Sequence, residues 1–273
     1  MAEEGEEAPP AEPGPTLLTA ELIAANLSII EEVDDSDKSN GFAYTKCDLS
    51  KTQCEVEAAS DAFSTYYQLR YLSLTACKLA SCQPVAPLPK LMSLDLSTAA
   101  LAEPGSLPPL PSLQLLKLSS CGISSLAGCA WEYPALRALD LSSNALTELP
   151  EFGAMPSLTY LSLAGNQLPA LPEGVWSRLP ALATLQAEGN APLADISGLA
   201  TSPALASLSL SGCPEIGAPA LLKPLAQGAL RALVLSETPL AEQSVEVLLV
   251  LPSLQLLNGA PVSTRPRALR PCP

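Results

Sequence analysis

The sequence predicts an α/β solenoid, with a curved parallel β-sheet on the concave face and mostly loops, 3-10 turns and short helices on the convex face. Three observations predict it. A short leucine pattern recurs, its copies start 22 to 25 residues apart, and hydrophobic residues form 48% of the chain although aromatic ones form only 4%. A unit of this length buries its apolar side only by stacking on its neighbours. The core must therefore be aliphatic and continuous.

The recurring pattern is LxxLxLxx(N/C)xL, which is typical of leucine-rich repeats. Its plain copies begin at Leu69, Leu91, Leu113, Leu136, Leu158, Leu182, Leu205 and Leu230. A weaker first copy occupies Tyr44, Cys47, Leu49, Thr52 and Cys54. The LxL segment alternates in and out as a strand does, so each copy should add one parallel strand about 4.8 Å from the next. We therefore expect an array of about nine repeats.

The chain divides into four parts by composition. They are a disordered acidic and Pro-rich segment (1–15), an N-terminal capping helix with an acidic linker (16–40), the repeat domain with its C-terminal cap (41–262) and a Pro/Arg tail (263–273). Thr19 is expected to cap a helix over 20–33, which covers the first repeat or, alternatively, docks on a partner. Residues 251–259 resemble the cap of repeat arrays of the phosphatase-regulator and dynein-light-chain kind, and 241–250 should be the capping helix before it.

The eight cysteines contain no CxxC pair of the kind that binds zinc. Cys77, Cys121 and Cys213 fall on the Asn position of the repeat, where the side chain bonds backbone groups as the chain turns inward. We therefore expect reduced thiols. The chain has no His, which excludes Ser-His-Asp and Cys-His catalysis. We expect no enzyme activity, metal or cofactor.

The net charge of −14 is uneven, with −10 in residues 1–40 and +3 in residues 261–273. No basic patch precedes the tail, so nucleic-acid binding is not expected. No secretory leader and no apolar run of about 20 residues is present, so we expect a cytoplasmic protein that does not enter a membrane.

The concave face should bind the partner, since that face is where solenoids usually work. Its candidate residues are Tyr71, Ser73, Asp95, Lys117, Asp140, Tyr160, Gln186 and Glu188. The two tyrosines are candidate anchors, since aromatic residues dominate interfaces. Asp95, Lys117 and Asp140 occupy equivalent positions and should pair with one another. The alternative is a solvated Ser-rich face that contacts nothing.

Trp131 and Trp176 fall in the return segments between strands. We expect them to close the core, with a partner contact as the alternative.

The N-terminal residues add a resemblance to a known family. The segments 18–21 (LTAE), 41–49 (GFAYTKCDL) and 68–72 (QLRYL), with 230–235 (LRALVL) near the end, look like the radial-spoke leucine-rich-repeat protein of cilia and flagella. The resemblance implies a structural subunit of the axoneme, with other axonemal or radial-spoke proteins as partners and no small-molecule substrate. It also implies a place in the cytoskeleton of the cilium or flagellum. The chain departs from that family in ending on a short Pro/Arg tail.

The alternative function is a regulatory subunit of a protein phosphatase or a dynein-associated light chain, because such arrays share the C-terminal cap. An enzyme that uses Asp95 and Asp140 is a third hypothesis, and no pocket is implied for it.

Overall fold

The computed structural model describes residues 16–35, 38–52, 54–57, 61–101, 107–129 and 131–262. The predicted disordered segment (1–15) and the predicted tail (263–273) lie outside them. Within these residues there are two α-helices, α1 (Ala20–Ala25) and α2 (Ser244–Val250). The strands in chain order are β1 (Leu27–Asp35), β2 (Lys38–Asp48), β3 (Glu55–Val56), β4 (Tyr71–Ser73), β5 (Lys78–Leu79), β6 (Ser93–Asp95), β7 (Ala100–Leu101), β8 (Leu115–Lys117), β9 (Ala138–Asp140), β10 (Tyr160–Ser162), β11 (Thr184–Gln186), β12 (Ser207–Ser209), β13 (Ala232–Val234), β14 (Leu256–Leu257) and β15 (Ala260–Pro261).

The main sheet has twelve strands in the order β1-β2-β4-β6-β8-β9-β10-β11-β12-β13-β14-β15. From β2 to β14 each strand is parallel to the next, and only the two ends are antiparallel. A second sheet of β3, β5 and β7 lies along the first repeats. These features are those of a curved, mostly parallel leucine-rich-repeat solenoid, as the leucine pattern predicted.

The predicted repeat register is confirmed by the strand pairing. The middle leucine of each strand faces the middle leucine of the next, as in Leu139 between Leu116 and Leu161. All three are fully buried, while their neighbours in the strand are half-buried except for Ser162, which is buried. The weak first repeat is in register as well, because Cys47 of β2 pairs with Leu72 of β4.

The Asn position joins consecutive repeats. Asn166 donates from Nδ2 to the carbonyl oxygens of Leu141 (3.0 Å) and Leu163 (2.9 Å), and its Oδ1 accepts the N–H of Leu146 at 3.1 Å. Asn144 and Asn190 do the same one repeat earlier and later. Cys121 and Cys213 replace the amide with a thiol that reaches the carbonyl of the preceding repeat, at 3.1 Å and 3.4 Å. The predicted structural role of these cysteines is confirmed.

The N-terminal helix is shorter than the sequence predicted. Thr19 caps it as expected, since its Oγ1 accepts the N–H of Leu22 at 3.2 Å, but α1 ends at Ala25. From Leu27 the chain runs as β1, antiparallel to β2. The expectation of one helix over 20–33 was wrong, because β-branched residues of 29–33 favour a strand and β2 supplies a backbone ladder for them to pair with.

The C-terminal cap follows the prediction more closely. Helix α2 lies within the expected segment 241–250. Asn258 has a positive φ of 50°, and its Oδ1 accepts the N–H of Leu235 at 2.7 Å. The chain then turns back as β15 and so closes this end of the sheet.

The return segments contain the 3-10 helices Ser64–Tyr66, Gln83–Val85, Trp176–Arg178, Ser197–Thr201 and Pro219–Leu225. Trp131 and Trp176 lie among these segments with 1% and 0% of their surface exposed. Trp131 makes edge-to-face contacts with Tyr133 and Phe152. Both tryptophans therefore close the core, as expected, and are not available to a partner.

Candidate protein-binding face

One face of the main sheet is turned away from the leucine core, and we call it the open face. It carries the first and third residues of the strands β4, β6 and β8 to β13, most of which are half-buried. Among them are many short side chains, such as Ser73, Ser93, Ser207 and Ser209. Seven of the predicted binding residues occupy first or third strand positions, and the eighth, Glu188, follows two residues after β11.

Three of the other predicted residues, Asp140, Gln186 and Glu188, gather around Tyr160. Its hydroxyl donates to Oε1 of Gln186 on the next strand. Burial raises the pKa of the Tyr160 hydroxyl, and the charges of Asp140 and Glu188 raise it further. The ring is therefore held in place by its neighbours rather than free. This aromatic group is preorganised for contact, at little entropic cost on binding.

Glu188 adds an unsatisfied acceptor beside this tyrosine. Its Oε2 is buried and has no hydrogen-bond partner among the described residues. A buried carboxylate oxygen without a donor is costly, unlike one in water. A partner that brings an N–H or O–H to this position would relieve that cost.

Of the charge pairs predicted among Asp95, Lys117 and Asp140, the one between Lys117 and Asp95 is formed. Nζ of Lys117 lies 3.4 Å from Oδ2 of Asp95, its register partner on β6. Asp140 flanks Lys117 on the other side, but its Oδ1 accepts the backbone N–H of Ser142 at 3.0 Å. Asp95 makes the same bond to Ser97. The Lys117–Asp95 pair is partly exposed, so it contributes about 0–1 kcal/mol to stability.

Tyr71 and Ser73 stand apart from this group. They lie on β4, four strands from β10, or about 19 Å away at the usual strand spacing. Tyr71 is 38% exposed and pairs in register with Lys46 of β2, while Ser73 Oγ lies 3.0 Å from Thr75 Oγ1. A single partner that contacts both tyrosines must extend across at least five strands.

The sequence missed one group of exposed residues. Ile30, Phe42 and Tyr44 project from β1 and β2 on the side of the sheet that carries Tyr71. The helix predicted over 20–33 hid them, since it placed Ile30 on a core-facing side. The signal that could have revealed them is the alternation of residues 42–47. In the structure Thr45 and Cys47 are buried on one side of this strand, whereas Lys46 between them is half-buried.

Two further classes of site concern metal ions and membranes. No group of three or more His, Cys, Asp or Glu side chains among the described residues could hold a metal ion. No described helix combines the length and apolar character needed to cross a membrane.

The fold and this face are those of a leucine-rich-repeat array, and comparisons with known proteins agree. Residues 134–191 match the family described as leucine rich repeat. A comparison with curated proteins found no match.

Solved structures with a similar fold include two from Listeria monocytogenes. The crystal structure of an internalin, inlF, aligns with a TM-score of 0.53 and 20% identity, over 88% of this chain and 74% of the internalin. The crystal structure of an internalin C2 aligns with a TM-score of 0.52 and 25% identity, over 71% of this chain and 81% of that protein. The chain therefore has the leucine-rich-repeat fold, whose arrays generally serve as protein-interaction scaffolds.

Proposed function

We propose that this chain is a non-catalytic structural subunit that binds other proteins through the open face of its sheet. The observation that carries the proposal is the group around Tyr160, where a hydrogen-bonded aromatic ring lies beside the unsatisfied Oε2 of Glu188. Short side chains on the neighbouring strands let a helix or an extended segment approach the sheet closely. The return segments, which we assign to the convex side, take no part in this contact.

We further propose that the assembly is the ciliary or flagellar axoneme, and within it the radial spoke. The resemblance of residues 41–49 and 68–72 to the radial-spoke family supports this proposal. These two segments form β2 and lead into β4, which are hydrogen-bonded neighbours at the N-terminal end of the sheet. The partners are then other axonemal proteins, and the protein resides in the cytoskeleton of the cilium.

The test restores variants to ciliated cells that lack the protein. Replacing Tyr71 and Tyr160 together by Ala should reduce the fraction that copurifies with isolated axonemes. The matched control is Val245→Ala with Leu249→Ala, which removes two apolar side chains that are 59% and 73% exposed on α2. Circular dichroism should show both variants folded, because none of the four side chains belongs to the leucine core. Full retention of the tyrosine variant would contradict binding through the open face.

A regulatory subunit of a protein phosphatase or a dynein-associated light chain is the second candidate. The C-terminal cap favours it, because α2, Asn258 and the closing strand β15 form the kind of end that such arrays share. Fractionation separates the candidates. An axonemal subunit remains with axonemes after a high-salt wash, whereas a phosphatase regulator elutes with soluble phosphatase activity.

A further inference from the structure

Among the described residues, exposed large apolar side chains lie only at the two ends of the array. Seven of them lie between Leu17 and Tyr71, and the others are Val245, Leu249 and Leu256 near the C-terminus. Between Tyr71 and Val245, no large hydrophobic side chain of the described residues is exposed. Clusters of this kind mark interaction sites more often than scattered single residues do. The cluster of exposed apolar side chains at the N-terminal end therefore marks a candidate interaction site that is separate from the group around Tyr160 on the open face.

The centre of that cluster is the β1–β2 hairpin. Ile30 pairs with Tyr44, and Glu32 pairs with Phe42, so alternation places Ile30, Phe42 and Tyr44 on one face. They are 59%, 76% and 46% exposed. We call these three residues the hairpin patch.

The opposite face of the hairpin meets the core, where Thr45 and Cys47 are fully buried. The hairpin patch is therefore not a misplaced part of the core. It is an apolar surface that extends the open face past Tyr71.

The hairpin also ends the sheet with a free edge. Strand β1 is the first of the twelve, and no other strand in the described part of the chain pairs with its outer side. Ile29 has a positive φ of 56°, so the regular edge begins at Ile30. A strand edge with unpaired N–H and C=O groups is a template for another strand. Backbone pairing and the hairpin patch are thus available side by side.

Charge identifies the kind of strand that fits this edge. The sequence of β1 holds Glu31, Glu32, Asp34 and Asp35 and no Lys or Arg. Arg70 pairs with Glu31 and compensates one of these charges. A second copy of β1 would add four more acids to the same edge, and like charges opposite one another destabilise a strand pair. A basic strand has the complementary charge.

We propose that the outer edge of β1 is a second binding surface, which takes an extended basic segment of a partner protein as an added strand. Apolar side chains of that segment pack on the hairpin patch, and its Lys and Arg side chains lie beside Glu31 and Glu32. Main-chain hydrogen bonds hold the strand, and side chains select it. This surface is distinct from the open-face site around Tyr160, because β1 lies six strand spacings, or about 29 Å, from β10 along the sheet.

The test uses the full chain and two synthetic peptides as probes. One peptide is Lys-Val repeated five times, and the other is Glu-Val repeated five times. Fluorescence anisotropy measures binding, and hydrogen exchange locates it. The basic peptide should bind, weaken with added salt and slow amide exchange within residues 27–35. The acidic peptide should not bind.

Variants then assign the contact to the hairpin. Replacing Phe42 and Tyr44 together by Ala should weaken binding of the basic peptide about tenfold or more. Glu32→Lys should weaken it through charge alone, which provides a second test if the first variant folds poorly. The matched control, Val245→Ala with Leu249→Ala, should bind as the unaltered protein does.

Any of four results would overturn the proposal. The two peptides bind equally, neither peptide binds, or exchange protection centres on the strands around Tyr160. The fourth is a dimer of this chain in sedimentation whose amides in 27–35 are already protected without peptide. Loss of axoneme binding by the tyrosine variant tests the open-face proposal separately, because its two substitutions leave the hairpin patch intact.

Discussion

The Sγ atoms of Cys54 and Cys77 lie 3.1 Å apart in the core, where both side chains are fully buried. The contact joins the first repeat to the second, since Lys78 N donates to the carbonyl of Cys54 at 2.9 Å just beside it. One thiol therefore donates to the other across the repeat boundary. Cys54, the last residue of the weak first repeat, is part of the packing between these two repeats.

Thiol reactivity should be low in the folded protein. Burial raises the pKa of the Cys47 thiol to about 12 and that of Cys121 to about 11, so little thiolate of these two is present near neutral pH. The hydrogen bond with Cys77 lowers the pKa of Cys54 to about 7, but this sulfur is fully buried and closed to a reagent in solution. At pH 8, iodoacetamide should modify few cysteines in the native state and all eight after denaturation, as read by mass spectrometry. A disulfide between Cys54 and Cys77 in freshly purified protein would contradict the reduced state that we predict.

The free energy of unfolding should fall at alkaline pH, because burial raises the pKa of the Cys47 thiol in the folded protein. The folded pKa of Cys47 (about 12) lies above the ordinary value of 9.0, so the folded state holds its proton where the unfolded state has lost it. The stabilisation is complete below about pH 9.0 and is lost as pH rises towards about 12. Urea unfolding at pH 8, 9 and 10 should show a falling free energy of unfolding. Cys47→Ala should flatten that decline above pH 9, and an equal decline in this variant would exclude the thiol as a cause.

Leu139→Asp should unfold the array. Leu139 is fully buried between two other leucines of the register, and an unpaired carboxylate there should cost about 4 kcal/mol or more. Thermal denaturation followed by circular dichroism measures the loss. Ala138→Asp, one residue earlier on the open face, is the control and should change the melting temperature little. An unchanged melting temperature for Leu139→Asp would contradict the repeat register.

Asn166→Ala should destabilise the array by about 1–3 kcal/mol, because it leaves the buried N–H of Leu146 without its acceptor. It also removes one of two donors from the carbonyls of Leu141 and Leu163, which keep their bonds from Asn144 and Asn190. Asn166→Cys should cost less, since Cys121 and Cys213 bond the preceding carbonyl from the same position. Chemical denaturation of the unaltered protein and the two variants measures their free energies of unfolding and so gives their order of stability. Equal losses for Ala and Cys would show that the thiols do not replace the amide.

Gly198→Ala should destabilise the chain by about 1–3 kcal/mol through overpacking. A Cβ at Gly198 would lie 2.3 Å from the carbonyl oxygen of Leu171, which is backbone and cannot move aside easily. At Gly217 the nearest atom to an added Cβ is 3.8 Å away, so Gly217→Ala is the matched control. The difference in melting temperature between the two variants is the measurement, and equal values would contradict the close approach at Gly198.

The binding face was partly predictable from the sequence. Alternation within each LxL segment placed Lys117 beside Asp95 and put Tyr71 and Tyr160 on the open face, because parallel strands in register bring equivalent positions together. The hydrogen bond between Tyr160 and Gln186 was not predictable. It runs diagonally between strands, and its formation depends on side-chain rotamers that no repeat pattern encodes.

Sequence by itself determined the repeat register, the Asn and Cys positions that join the repeats, and the C-terminal cap. Each of these follows from a local pattern that stacking then repeats along one dimension. Only the tertiary structure decided that residues 27–35 form a strand. Leu22, Ile23, Ile29, Ile30 and Val33 fit one side of a helix, and the same β-branched residues also suit a strand. The choice depends on β2, whose backbone ladder is available only once the first repeat has folded beside it.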